Sequence, residues 1–174
     1  MIAVIDYRAG NLKSVQRALT HIGCDCVVTS DAAVILEAER VVFPGVGAAG
    51  TAMDNIRSKG LDETIREVIT RGVPFLGICL GTQIIFERSE ENGAVCLGVL
   101  RGMVRRFPPG AGKIPHMGWN TIATARDHPL LSGIGAEDWF YFVHSYYPDP
   151  ADGADVVART TYGIEFASAV GRNN

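Results

Sequence analysis

Val73-Pro74-Phe75-Leu76-Gly77-Ile78-Cys79-Leu80-Gly81-Thr82-Gln83-Ile84-Ile85-Phe86 decides how this chain is read. An apolar run of strand length passes through Gly-Ile-Cys-Leu-Gly and continues at once into an amphipathic helical pattern. Strand, sharp turn, then helix is a nucleophile elbow with cysteine in the serine position. The glycines flanking Cys79 have no Cβ, so the chain can turn tightly there while the cysteine takes a strained backbone conformation with its sulfur outward. A sulfur at a helix N-terminus is favoured as thiolate by the helix dipole, and the free amides beside it can hold an oxyanion. The competing reading is a small residue in a structural turn. The paired glycines between a strand and a helix favour the nucleophile.

Upstream, Arg40-Val41-Val42-Phe43 reads as a strand opening into Pro44-Gly45-Val46-Gly47-Ala48-Ala49-Gly50, with a helix from about Thr51. Loop and elbow both follow strands, which places them at the carboxyl edge of the sheet, where open α/β folds bind ligands. The loop has neither the GxxxxGK[ST] lysine nor a GxGxxG pattern, so a nucleotide site is set aside. It is the expected source of a second oxyanion donor, the amide of Val46 or Gly47. Residues 1–6 read as a buried strand ending in the loop Tyr7-Arg8-Ala9-Gly10. Leu12, Val15, Ala18, Leu19 and Ile22 then recur at helical spacing, with Asn11 as N-cap and Gly23 as the stop. Residues 26–29 give a second strand, 31–36 a short helix, and 62–69 an amphipathic helix stopped by Gly72. This alternation predicts an α/β fold with a parallel sheet covered on both faces.

Downstream, Arg88-Ser89-Glu90-Glu91-Asn92-Gly93 is polar and ends the elbow helix. Residues 97–107 read as short strands around Gly98 and Gly102, and Pro108-Pro109-Gly110 as a loop. Lys113-Ile114-Pro115-His116-Met117-Gly118-Trp119-Asn120 is either a surface organised for contact or a loop anchored by Trp119. Trp139-Phe140-Tyr141-Phe142-Val143-His144-Ser145-Tyr146-Tyr147 reads as one aromatic strand. Its His144 is a structural histidine or, as the alternative, a catalytic base. His21 and His128 read as exposed. Residues 156–161 and 164–170 read as two strands joined at Tyr162-Gly163 and followed by the turn composition Gly171-Arg172-Asn173-Asn174. An α/β domain stopping at an open turn leaves a sheet edge unpaired, so the chain is expected to be truncated at its C-terminus.

With 174 residues and 47% hydrophobic content, the chain suits one domain. A formal net charge of -3, dispersed along the sequence, leaves no electrostatic footprint for nucleic acid or membrane. Arg101, Arg105 and Arg106 form the one basic cluster, expected on a solvated strand face or at a partner contact. Cys24, Cys26, Cys79 and Cys96 lack paired CxxC spacing and do not suggest a disulfide scaffold. Neither a metal nor a cofactor is expected, and Cys24 and Cys26 read as ordinary residues at a strand start. No signal peptide leads the chain and no apolar run approaches the roughly 18 residues that span a bilayer. A reducing, cytoplasmic setting is the expectation.

Pro44-Gly45-Val46-Gly47, Gly77-Ile78-Cys79-Leu80-Gly81-Thr82-Gln83, Pro115-His116-Met117-Gly118-Trp119-Asn120, Tyr141-Phe142-Val143-His144-Ser145-Tyr146-Tyr147 and Tyr162-Gly163 with Phe166-Ala167-Ser168-Ala169-Val170 together resemble one family. It is the glutaminase subunits of imidazole glycerol phosphate synthase, a branch of the class I glutamine amidotransferases, and the resemblance runs from first residue to last. It implies a flavodoxin-like three-layer sandwich around a mostly parallel sheet. It also implies hydrolysis of glutamine to glutamate and ammonia, the ammonia passing to a (β/α)8-barrel cyclase partner in a heterodimer. Cys79 would attack the amide carbon and pass through an oxyanion to a thioester. Leu80 N–H and the Val46 loop would hold the oxyanion, and Gly47, Gln83 and the backbone around His144, Ser145 and Tyr146 the glutamine. Asn11, Tyr141 and the residues around Trp119 would lie toward the cyclase. One departure matters: the family carries its catalytic histidine and glutamate in a His-Pro-Glu motif expected beyond Asn174, and no His-x-Glu occurs in this sequence. The alternatives are a non-catalytic docking subunit for the cyclase, and a cysteine-elbow hydrolase or chaperone sharing the sheet and elbow. The glycine loop and Gln83 argue against the latter.

Overall fold

Alternate residues of the first strand face opposite layers, and that alternation sets the architecture of the computed structural model, which describes residues 1–8 and 11–172. In β1 (Ile2–Ile5), Ile2 and Val4 pack with Val42 and with Leu12, Val15 and Leu19 of α1 (Leu12–His21). Ala3 and Ile5 point the other way and join Val41 and Phe43 in a larger cluster. A strand apolar on both faces requires a layer on each side. The order continues β2 (Cys26–Thr29), α2 (Ala32–Leu36), β3 (Arg40–Gly45), α3 (Ala49–Ser58), α4 (Leu61–Thr70) and β4 (Phe75–Cys79). The four strands are parallel in the order β2-β1-β3-β4. Opposite α1, Ile35 of α2, Met53 and Ile56 of α3, and Leu61, Ile65 and Val68 of α4 complete the core. Each such side chain contributes about 1.5–3 kcal/mol by leaving water.

Capping follows expectation at one helix and departs from it at another. The Asp31 carboxylate accepts a hydrogen bond from Ala33 N at 2.9 Å at the start of α2. Asn11 precedes α1 but sits in the left-handed region at φ 72, and its side chain makes no cap bond. Of the loop expected at 7–10, residues 9 and 10 lie outside the described residues, as do residues 173 and 174 of the terminal turn.

The elbow helix is shorter than the apolar periodicity predicts. α5 (Leu80–Gln83) is a single turn, because the carbonyls that would extend it are taken by a distant segment. Leu97 N donates to Ile84 O at 2.8 Å, Val99 N to Ile85 O at 2.7 Å and Gly98 N to Phe86 O at 2.6 Å. These bonds, with Leu100 N to Ile85 O, explain why residues 97–100 are not a strand: their amides are spent on this turn. Ile84 then joins the main core, while Phe86 packs with Leu100 and Val104 in a separate cluster.

The remaining strands are β5 (Arg88–Ser89), β6 (Gly102–Arg106), β7 (His116–Thr121), β8 (Ala123–Thr124), β9 (Trp139–His144), β10 (Tyr146–Pro150), β11 (Val156–Tyr162) and β12 (Ile164–Val170). They form three small sheets ordered β10-β6-β5, β12-β11-β8 and β7-β9. The aromatic run expected as one strand is therefore two. β9 pairs with β7 and β10 with β6, and the chain changes sheet at Ser145, whose carbonyl accepts from Phe107 N at 3.1 Å. The hairpin expected at Tyr162-Gly163 is present, with β11 antiparallel to β12. Within the basic cluster, all three arginines are exposed, and Arg105 donates to Asp149 at 2.5 Å and to Glu90 at 3.4 Å. Among the described residues, no helix is long and apolar enough to cross a membrane.

Candidate active site

β3 and β4 end side by side, and their register sets Pro44 opposite Ile78 and Gly45 opposite Cys79. The glycine loop and the elbow thus leave the carboxyl edge of the sheet from neighbouring positions, where ligands of open α/β sheets bind. Cys79 is exposed, at φ 54 and ψ -108. That conformation costs a non-glycine residue on the order of 1–3 kcal/mol and persists only where the surroundings impose it. Here the glycines do so. A Cβ on Gly77 would stand 2.7 Å from the Gly81 backbone, and one on Gly81 would run into the Phe43 carbonyl. The Thr82 hydroxyl ties the turn by donating to Gly77 O at 2.6 Å.

The electrostatics of the sulfur reverse one expectation. Although Cys79 presents surface to solvent, the protein packed around its sulfur pushes the thiol above its ordinary range. The Leu80 amide pulls it down by donating to it, and the Glu91 carboxylate pushes it up. Desolvation is the largest of these influences and outweighs the Leu80 amide. The elbow therefore aims the thiol while its burial disfavours the thiolate. Glu91 has its own structural duty, with Oε2 accepting from Ala49 N at 2.7 Å in the first turn of α3. Cys96, buried and pushed up to about 11 mainly by that burial, is the inert contrast.

Around the sulfur, Leu80 is buried at the head of α5, and Val46 and Gly47 follow β3 directly, Val46 half-exposed and Gly47 at φ 102. Gln83 closes α5 and is buried. β10, beginning at Tyr146 just past Ser145, packs against α5. Tyr7, which follows β1 and was not among the expected site residues, is buried with its hydroxyl pressed against Gly45. The fold thus gathers the glycine loop, the elbow and the Ser145 corner.

Both ring nitrogens of His144 are engaged within the fold. Its Nδ1 donates to Tyr146 O at 2.8 Å, and its Nε2 lies 3.0 Å from His116 Nδ1. A carbonyl can only accept, so His144 carries its proton on Nδ1, and its Nε2 lone pair accepts from His116 Nδ1–H. Burial lowers the pKa of both rings and keeps them neutral. His116 is itself buried and stacked on Tyr162 with centroids 4.0 Å apart. The two histidines are 28 positions apart and meet only because β7 pairs with β9, so no local pattern announces them. His128 is not free either: its Nδ1 accepts from Leu130 N at 3.2 Å. Among the described residues, no histidine or carboxylate hydrogen-bonds the Cys79 sulfur.

The outer face of β7 and β9 is an apolar ladder. Trp119 stands opposite Tyr141 and Met117 opposite Val143, with Trp139 at the end of the row. All five are more than half exposed, and Trp119 meets Tyr141 edge to face with centroids 5.5 Å apart. Asn11 is exposed at the start of α1.

The sequence model of the glutamine amidotransferase class-I family matches residues 3–174. The imidazole glycerol phosphate synthase subunit HisH of Methylococcus capsulatus is 52% identical over 182 residues, spanning 98% of this chain and 83% of that protein. Its counterpart from Desulfovibrio desulfuricans is 48% identical over 180 residues, spanning 99% and 82%. Among solved structures, a glutamine amidotransferase covers 91% of this chain and 80% of its own with TM-score 0.72 at 17% identity. Another, from Thermotoga maritima, covers 99% and 74% with TM-score 0.66 at 20% identity. These structural likenesses establish the shared fold.

Proposed function

This chain belongs to the class I glutamine amidotransferases and, within them, to the HisH subunits of imidazole glycerol phosphate synthase, and we propose that its Cys79 elbow splits glutamine. That membership places it in histidine biosynthesis. The observation that carries the reaction is the exposed, strained Cys79 paired in register with Gly45 at the mouth of the glycine loop.

In the proposed reaction a base takes the thiol proton and the sulfur bonds to the side-chain amide carbon of glutamine. The carbonyl π pair moves onto oxygen, where the amides of Leu80 and Val46 meet it; one such donor is worth about 3 kcal/mol in the transition state. When the pair returns, the C–N bond breaks, and nitrogen leaves as ammonia with a proton from the base. Water then adds to the thioester and expels the thiolate as glutamate is released. Gly47, Gln83 and the backbone around His144, Ser145 and Tyr146 are the proposed glutamine contacts.

The base is the component this set of residues does not supply, since the rings of His116, His128 and His144 are otherwise engaged and His21 lies in α1. In the family pattern it is the histidine of a His-Pro-Glu motif, and residues 1–174 contain no His-x-Glu. A second reading, which the exposed apolar ladder of β7 and β9 favours, is a subunit that docks on the cyclase without turning glutamine over. The apolar ladder with Trp119 and Tyr141, together with Asn11, is the proposed face for a (β/α)8-barrel cyclase in a cytoplasmic heterodimer. The ammonia would pass to that partner.

The test is a graft. A chain ending at Asn174 is expected to release almost no glutamate from glutamine. Appending the C-terminal segment of a HisH relative, with cyclase added, restores release, and Cys79→Ser in the grafted chain abolishes it. Release that survives Cys79→Ser rejects the proposal.

A further inference from the structure

Tyr7 is buried almost completely and stacks on Phe43 with centroids 4.7 Å apart. Its ring fills space as any aromatic would; its hydroxyl is harder to explain. Among the described residues that hydroxyl is buried with no hydrogen-bond partner. A phenylalanine would keep the stack without stranding a polar group, and a buried orphan donor in a folded protein calls for a reason.

The place of the hydroxyl supplies one. It presses on Gly45 so closely that a Cβ there would overlap it, and the same Cβ would stand 3.0 Å from Leu80 Cβ. Gly45 is the register partner of Cys79, and Leu80 is the next residue of the elbow. The orphan donor is thus wedged at the junction of the glycine loop and the elbow. A neutral thiol is a weak acceptor and leaves such a donor unused, whereas a thiolate is a strong one.

Resting on the glutaminase reading above, we propose that Tyr7 is a positioning residue for Cys79, its hydroxyl proton reserved for the sulfur once the thiol ionises. Among the described residues, the Leu80 amide favours the anion and the Glu91 carboxylate opposes it. The Tyr7 hydroxyl would add to the first. Burial and the nearby sulfur both hold Tyr7 as the neutral phenol, the form that can donate. Lys59, whose ammonium donates to the carbonyl of the neighbouring Asp6 at 2.9 Å, is committed to the backbone.

Tyr7→Phe in the 174-residue chain tests this without needing turnover. Iodoacetamide alkylation of Cys79 is followed against pH by peptide mass spectrometry, with thermal melting alongside. Loss of a hydrogen bond to the anion raises the alkylation midpoint by about one pH unit, while removal of the orphan hydroxyl leaves the melting temperature unchanged or higher. An unchanged midpoint overturns the inference, and so does a lowered one. Selective labelling of Cys79 by a glutamine-like diazoketone, in the chain grafted with the C-terminal segment of a HisH relative, separates the two readings. If that labelling holds while the midpoint stays put, only the role of Tyr7 fails; if that labelling is absent, the glutaminase reading fails with it.

Discussion

Gly45 and Cys79 face each other across the last rung between β3 and β4. The glycine side of this pair has no room: a Cβ would enter the Tyr7 hydroxyl and crowd Leu80. Gly45→Ala should therefore destabilise the fold by about 1–3 kcal/mol through overpacking. It should also shift the loop relative to the sulfur and slow labelling of Cys79 by a glutamine-like electrophile, on the order of a hundredfold. Melting curves and second-order labelling rates check both effects.

Two other glycines separate close packing from mere flexibility. At Gly81 a Cβ meets the Phe43 carbonyl, whereas at Gly50 in α3 it meets nothing within 4 Å. Gly81→Ala should strongly reduce stability and bury or misdirect the thiol. Gly50→Ala should leave labelling intact and add up to about 1 kcal/mol by restricting the unfolded chain. Urea denaturation of the two variants side by side is the measurement. A tolerated Gly81→Ala would contradict the elbow geometry.

The His116–His144 pair makes stability depend on pH in a definite direction. Burial lowers both imidazoles, so between their ordinary and their folded values the unfolded chain binds more protons than the folded one. Stability contributed by the neutral pair is complete above about pH 6.5 and declines as pH falls below it. His116→Phe keeps a ring on Tyr162 but strands His144 Nε2, at a cost of about 1–3 kcal/mol. Long-range proton–nitrogen NMR should find both rings neutral with the proton on Nδ1. A charged ring at pH 7.5, or an Nε2–H form of His144, would contradict the bonding described.

On the apolar ladder, exposure and partner binding should come apart. Trp119 and Tyr141 are 64% and 57% exposed, so replacing either by alanine should change the stability of the isolated chain by no more than about 1 kcal/mol. Affinity for a cyclase subunit should fall by about 2 kcal/mol or more, the size typical of a buried aromatic anchor. Calorimetric titration with the cyclase provides the comparison. Unchanged affinity would move the docking face elsewhere.

Some of this was legible from residue order because it depends on local geometry alone. The alternation of Ile2 and Val4 against Ala3 and Ile5 is a property of any strand, and glycines around a cysteine between a strand and a helix define their own turn. The length of α5 is different in kind, since it depends on amides of residues 97–99 claiming the carbonyls of residues 84–86. No window along the chain contains both partners. The histidine pair, the break at Ser145 and the stranded hydroxyl of Tyr7 are likewise consequences of strand pairing or packing across the sheet edge. The thiol of Cys79 illustrates a competition of magnitudes. A helix start was expected to lower its pKa, but burial of the sulfur outweighs the Leu80 amide that the one-turn helix offers.

The most direct measurement is treatment of the chain, carrying the appended C-terminal segment of a HisH relative, with a diazoketone analogue of glutamine, followed by peptide mapping of Cys24, Cys26, Cys79 and Cys96. The account predicts one adduct, on Cys79, suppressed by added glutamine, with Cys24, Cys26 and Cys96 unmodified over the same interval. Equal modification of Cys24 and Cys26, or labelling of Cys79 that glutamine does not slow, would contradict it.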